Sequence, residues 1–463
     1  MLRHIPPGYR RETSGKTRSD PAECPAVLFR QVTHDDLGCA SYLIGDEDAG
    51  DAVLVDPVLA IEPFLEEAAA KCLHITRILE THTHADHVSG HGRLALEHGL
   101  PVAVHCDAGV SYPNEPLADG DEIAVGSVTV RTIHTPGHRP EHCCFLADDA
   151  LLTGDSLFVG TAARPDLAVD ARDGAEGLFH SLQRLLELPD DVRVMPGHVA
   201  GSLCGIGMSA ERASTIGQER RFNPALALAT VEEFVADSAA VATPRPPNME
   251  HIVDVNRGPF VGAPPALEPV ARDRHFVLDV RDPDAHAAGH VPGAVNVPVS
   301  GSSFGTRAGF LIPPGSTVAL HAESPAQAAA AATKLNAVGF LELAGYLEDV
   351  TTTDTLEPVE IDELEQLVAE GAVELVDVRE PSERDAGYIH GSRNIPYRVI
   401  GEFADDLAGG KPLVTICETG SRAAIAASVL AASGLKARPV LNGGVYEWER
   451  RGNQTVEFRR CGS

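Results

Sequence analysis

The stretch Glu80-Thr81-His82-Thr83-His84-Ala85-Asp86-His87-Val88-Ser89-Gly90 puts three histidines and one aspartate within six residues. Imidazole and carboxylate together suit zinc or ferrous iron. The spacing has no helical period. Ile75 to Leu79, just upstream, reads as a short buried strand, so the cluster sits where a strand gives way to a loop. A second reactive centre lies near the C-terminus. Pro412 to Ile416 reads as a buried strand, Cys417-Glu418-Thr419-Gly420-Ser421-Arg422 as a loop, and Ala423 to Ala432 as an Ala-rich helix. Cys417 then stands at a helix N-terminus beside Arg422. Both features lower a thiol pKa and stabilise an anionic persulfide.

The elements around the first centre alternate between strands and helices from Ala26 to about Asn223. Ala52 to Pro57 is a short apolar strand ending in a turn, Glu62 to Cys72 has helical spacing, and Pro101 to Val104 is strand-like. Asp121 to Ile133 reads as a hairpin about Gly126, and Leu178 to Leu188 as an amphipathic helix with Leu178, Leu182, Leu185 and Leu186 on one face. The Pro-rich run within Asp237–Asn248 marks a linker. Beyond it a unit occurs twice. Leu278-Asp279-Val280-Arg281 with Gly289-His290-Val291-Pro292-Gly293 is followed by Val376-Asp377-Val378-Arg379 with Gly387-Tyr388-Ile389-His390-Gly391.

His-x-His-x-Asp-His resembles the metal signature of the metallo-β-lactamase superfamily. That resemblance implies later ligands in order, and they are present: His138 in Thr-Pro-Gly-His, Asp155 in Leu-Leu-Thr-Gly-Asp, and His198 in Met-Pro-Gly-His. It implies an αββα sandwich whose ligand loops meet at one edge of two packed sheets. Two metal centres are open. In a hydrolase of the glyoxalase II type, His82, His84 and His138 would bind one zinc, Asp86, His87 and His198 another, and Asp155 would bridge, with hydroxide attacking a thioester. In the persulfide dioxygenase branch, one ferrous iron would be held by His82, His138 and Asp155, with positions open for substrate sulfur and O2. His84, Asp86, His87 and His198 would then orient those ligands.

The doubled unit resembles the rhodanese family, an α/β domain around a parallel sheet. The second copy carries Cys417 and Arg422, where rhodaneses carry a sulfane sulfur. The first aligns Ala322 with Cys417 and Gln327 with Arg422, so nucleophile and cation are both missing and a silent, scaffolding repeat is expected. The rhodanese fusion favours persulfide oxidation over thioester hydrolysis. So does Ser156 to Leu167, which resembles the Gly-x-x-Gly-Arg-x-Asp segment of persulfide dioxygenases, although Thr161 to Ala163 departs from it. Arg164 there could clamp a substrate carboxylate. Cys204, six positions after His198 in a Gly-rich loop, could carry a persulfide near the iron. The implied reaction turns a low-molecular-weight thiol persulfide and O2 into sulfite and thiol, with Cys417 moving sulfur among persulfide, sulfite and thiosulfate. The expected domains are 1–25 (disordered extension), 26–240, 250–355 and 356–463.

Length and composition bound the alternatives. At 463 residues two to four domains are expected. Lys+Arg is 37 and Asp+Glu 67, a net charge of −30, which argues against nucleic acid or an anionic membrane as partner. No apolar run reaches the roughly 18 residues of a membrane span, and the polar N-terminus has no secretory core. The nine cysteines are odd in number, and the adjacent Cys143 and Cys144 cannot form an ordinary bridge, so reduced thiols and a cytoplasmic location are expected. The sequence leaves the thiol carrier and the oligomeric state open; a homodimer is compatible with it.

Overall fold

The computed structural model describes residues 27–165, 170–199, 209, 211–239, 245–348 and 350–458. The extension expected at 1–25 lies outside them.

Two six-stranded sheets form the N-terminal domain. The first runs Val27–His34, Cys39–Asp46, Asp51–Val55, His74–Leu79, Val102–His105, Glu115–Leu117. Its first three strands are antiparallel and the rest are parallel additions. The second runs Ser214–Thr215, Arg193–Pro196, Ala150–Gly154, Cys143–Ala147, Val128–His134, Glu122–Val125. Tyr42, Ile44 and Val53 of one sheet meet Val130, Phe145 and Leu152 of the other in a shared core. The outer faces are covered by Glu62–Ala70 and His91–His98 on one side and Ala171–Leu185 on the other, completing the αββα sandwich. Side chains on a strand point alternately to opposite faces, and the Cys143–Cys144 pair displays this. Cys143 points between the sheets and Cys144 toward the Ala171–Leu185 helix. Both are free thiols, and burial pushes Cys144 up to about 11, which keeps it protonated and inert.

That helix starts seven residues earlier than its leucine stripe suggests. Asp170 caps it by accepting from Arg172 N at 2.9 Å. The first turns carry Gly174 and Gly177, weak helix formers that hide the start of the pattern. Their reason is spatial. A Cβ on Gly174 would lie 2.1 Å from the Pro165 carbonyl oxygen, and one on Gly137 would lie 2.4 Å from the Leu178 backbone. The helix therefore presses directly on the Pro136-Gly137-His138 turn.

The C-terminal half holds two all-parallel sheets. The middle one is ordered Pro269–Val270, Leu343–Leu347, Val318–His321, Phe276–Asp279, Val295–Asn296; the last is Arg393–Asn394, Glu374–Asp377, Leu413–Ile416, Ala437–Pro439. One hydrophobic core runs through both, with Phe304, Ala308 and Leu335 from the middle unit against Tyr397, Ile400 and Ile425 from the last. The middle unit also reaches the N-terminal domain. Asp36 accepts from Phe304 N at 3.0 Å and from Lys334 Nζ at 3.1 Å, and Val88 N, one residue past His87, donates to Ala337 O at 2.8 Å.

Candidate metal centre and thiol loop

The strand His74–Leu79 ends and the chain turns into the histidine stretch at one edge of the sandwich. Asp56 anchors the turn. It adopts a left-handed φ of 49°, a conformation Asp tolerates better than most residues. Its carboxylate accepts from Thr81 N at 2.7 Å and from the Thr81 hydroxyl at 2.8 Å. A hydroxyl has one proton, and a carboxylate only accepts. Thr81 Oγ1 must therefore accept from His82 Nδ1, 2.9 Å away, which leaves a bare lone pair on His82 Nε2. The same logic fixes His138. Its Nδ1 lies 3.0 Å from the Arg164 carbonyl oxygen, which can only accept, so its Nε2 is also bare. Asp155 spends Oδ1 on His198 Nδ1 at 2.7 Å, leaving Oδ2. Asp155 Oδ2 stands 3.9 Å from His82 Nε2 and 3.5 Å from His138 Nε2.

All three side chains are 1% exposed, and His82 Nε2 and Asp155 Oδ2 have no hydrogen-bond partner among the described residues. Buried lone pairs that face one another are costly unless a cation lies between them. This donor set fits a metal ion held by His82, His138 and Asp155. The electrostatics agree. Burial, then His84 and His138, hold His82 well below its ordinary value, so its imidazole is neutral. Burial pushes Asp155 up, but His198 outweighs it and keeps the carboxylate ionised.

The other four histidine-stretch and loop residues form the surroundings. His198 lies between two carboxylates, Asp155 Oδ1 and Asp86 Oδ2, at 2.7 and 2.9 Å. His84 turns Nε2 toward Asp56 at 3.3 Å and Glu80 at 3.4 Å. Burial opposes its charge, but Asp56 and Glu80 prevail and raise it well above its ordinary value. His84, Asp86 and His87 still bring donor atoms close together as a second group.

Several residues of this centre carry no recognisable signature. His142 accepts from Asp155 N at 2.9 Å through Nε2 and so sets the Asp155 backbone. Asn256, on the helix Met249–Arg257, straps the stretch: its Oδ1 accepts from Ser89 N, and its Nδ2 donates to His84 O at 3.0 Å and His87 O at 2.8 Å. Glu80 accepts from the Ser89 hydroxyl at 2.5 Å. The buried Glu219 and Asn223 hold the hairpin Leu157–Phe158 and Thr161–Ala162 from the side, through Gly160 N and Thr161 O. Arg164 reaches the centre through its carbonyl oxygen. Cys204 lies outside the described residues.

The thiol loop is distant from the metal stretch along the chain. Cys417 is buried at the end of the strand Leu413–Ile416, and its Sγ accepts from Gly420 N at 3.1 Å. Gly420 and Gly444 have positive φ and leave no room for a Cβ against Leu441 and Cys417 backbone, so the loop is clamped from below. Arg422, on the helix Ser421–Ala432, forks onto Glu383 at 2.6 and 2.7 Å. In the first repeat Ala322 occupies the corresponding place, and Gln327 folds back to accept from Glu323 N at 2.7 Å.

A sandwich with a His, His, Asp pocket at its edge, followed by two parallel-sheet units with one thiol loop, defines the class. The metallo-beta-lactamase superfamily model matches residues 34–198, and the rhodanese-like domain model matches 265–351 and 360–451. The chain is 30% identical over 249 residues to the mitochondrial persulfide dioxygenase ETHE1 of Homo sapiens, covering 52% of this chain and 91% of that one. It is 35% identical over 183 residues to the hydroxyacylglutathione hydrolase of Rhizobium etli, covering 38% and 66%. The crystal structure of a metallo-beta-lactamase from Staphylococcus aureus subsp. aureus COL has a TM-score of 0.64 at 29% identity, over 70% of this chain and 99% of that one. The chain belongs to the metallo-beta-lactamase superfamily, as a homologue of the persulfide dioxygenases over its N-terminal half, with rhodanese-like domains appended. No helix among the described residues is long and apolar enough to cross a membrane.

Proposed function

We propose that the chain is a persulfide dioxygenase coupled to rhodanese sulfur transfer. The balanced reaction is RSSH + O2 + H2O → RSH + SO3²⁻ + 2 H⁺. The observation that carries this reading is the pair of locked tautomers, which aim His82 Nε2 and His138 Nε2 at Asp155 Oδ2. Two imidazoles and one carboxylate are the donor set of non-haem ferrous iron with open positions. Ferrous iron bound there supplies the redox chemistry with dioxygen that no side chain of the chain can provide.

The protein's own residues do the rest. Thr81 and the Arg164 carbonyl keep the two imidazoles neutral and oriented. His198 donates to Asp155 and to Asp86 and so holds both carboxylates in place. The Arg164 side chain is assigned the clamp for a carboxylate on the thiol carrier, and Cys417 the sulfane-sulfur acceptor. The first repeat is assigned no chemistry of its own.

The second group, His84, Asp86 and His87, favours a rival with two zinc ions and thioester hydrolysis. Against it, His84 is engaged by Asp56 and Glu80. Metal analysis of anaerobically purified protein, with an oxygen electrode, separates the two. About one iron per chain with O2 uptake on a thiol persulfide is expected. Two tightly held zincs, thioesterase activity and no O2 uptake would overturn the reading.

A further inference from the structure

Three cations near the Cys417 loop within its own repeat are paired with carboxylates. Arg422 forks onto Glu383, Arg379 engages Asp377 and Glu418, and Arg398 pairs with Glu380. A sulfur donor that carries an anionic tail finds these three charges already compensated. A further cation is supplied across the domain boundary. Arg307, on the helix Phe304–Leu311 of the first repeat, donates from Nη1 to Ser421 Oγ at 3.0 Å. Ser421 is the first residue of the helix after the loop, four positions beyond Cys417. Arg307 is half-buried, and no carboxylate among the described residues pairs with it. The buried Tyr397 lies in the field of both Arg307 and Arg422. A guanidinium half-withdrawn from water and held, among the described residues, by a hydroxyl and no carboxylate is poised for an oxyanion.

We propose that Arg307 of the first repeat, with the Ser421 hydroxyl, is the anion subsite of the Cys417 centre and holds the sulfonate of a thiosulfate-type donor. The inference deepens the reading above and rests on Cys417 accepting sulfane sulfur. The Cys417 thiolate attacks the outer sulfur of S–SO3²⁻. The Cys417 S–S bond forms, the donor S–S bond breaks, and its electron pair leaves with sulfite: Cys–S⁻ + S–SO3²⁻ → Cys–S–S⁻ + SO3²⁻. Arg307 holds the sulfonate oxygens before and after the bond breaks, so it is a positioning residue for donor and leaving group alike. The repeat that lacks a nucleophile thereby contributes to the neighbouring site.

The test uses the full chain with Arg307→Gln and Arg307→Lys. Sulfur transfer to a thiol acceptor is measured from thiosulfate and from an alkyl persulfide with an uncharged tail. Loss of a charge-assisted contact made equally throughout should raise KM for thiosulfate about tenfold with kcat little changed. KM for the uncharged donor should stay constant, and Arg307→Lys should recover part of the loss. Alkylation of Cys417, read by mass spectrometry of its peptide, gives an arm independent of turnover: the iodoacetate-to-iodoacetamide rate ratio should fall in Arg307→Gln. Equal KM changes for both donors, or an unchanged alkylation ratio, would overturn the subsite. A wild type that transfers sulfur from neither donor, yet shows the ratio change, would sink the sulfurtransferase reading and leave the anion subsite standing.

Discussion

The two rhodanese-like repeats are built on the same polar frame and differ where chemistry would occur. In the first, Arg281 forks onto Asp279 and donates to Gly289 O at 2.8 Å; in the second, Arg379 forks onto Asp377 and donates to Gly387 O at 2.6 Å. Asn296 donates to Asp279 O and Arg281 O, and Asn394 to Asp377 O and Arg379 O, all at 2.9 Å. These bonds satisfy backbone at a strand end and a turn, which any copy of the fold must do. The loops differ in what they present: a thiol and a guanidinium at Cys417 and Arg422, a methyl and an amide at Ala322 and Gln327. The frame is shared, and the two loops diverge.

Breaking the nucleophile should have the largest effect. Cys417→Ser keeps the loop but not the thiolate, so sulfur transfer from thiosulfate should fall by about a thousandfold or more. O2 uptake on a supplied persulfide should persist. Equal loss of O2 uptake, read at an oxygen electrode, would mean that sulfur must pass through Cys417 to reach the metal centre. The metal stretch, unlike these repeats, takes its frame from elsewhere in the chain. Asn256→Ala removes three contacts to the backbone of Ser89, His84 and His87. Metal affinity by competitive chelator titration should drop about 10–100-fold, as for lost supports of ligands, with sulfur transfer at Cys417 unaffected. Unchanged affinity would show that the stretch holds its shape without the strap.

The frames themselves differ in one respect. Burial pushes Asp279 up, but His286, His321 and Arg281 outweigh it and hold the carboxyl well below its usual range. Its folded value lies below the unfolded one near about 4. The stability it contributes is therefore complete above that pH and lost as pH falls below it. Asp279→Asn leaves Arg281 facing no charge and should cost about 3–5 kcal/mol at neutral pH. It should also flatten the acid limb of the thermal midpoint against pH. An acid limb as steep as wild type would remove Asp279 as its source. The smallest effect is at the seam. Ser428 Oγ, in the second repeat, accepts from Asn296 N of the first at 2.9 Å. Ser428→Ala should cost about 1–2 kcal/mol in denaturant unfolding, because it leaves a buried amide unpaired. No change would mean that the apolar seam alone fixes the repeats.

Much of this was legible in the chain. Metal ligands crowd on one loop because a strand end brings neighbouring residues to the same edge, so the histidine stretch announces itself locally. The resemblance carried by the histidine motifs implied the sandwich, which the alternating strands and helices fit, and the doubled Asp-x-Arg marked the repeats. The supports were not legible. Asn256 lies 172 residues from His84, and an asparagine on a helix has no pattern that distinguishes it from a surface residue. Glu219 and Asn223 sit in a polar segment to which the sequence assigns no role, yet both are buried.

By itself the sequence determined which side chains could bind a metal or hold sulfur, since residue type and local spacing set donor chemistry. Only the tertiary structure decided which of the seven candidate ligands point at one another. That choice depends on proton positions: the single proton of Thr81 is given to Asp56, and the Arg164 carbonyl takes that of His138. Those partners come from four separate segments, and no local pattern encodes their meeting.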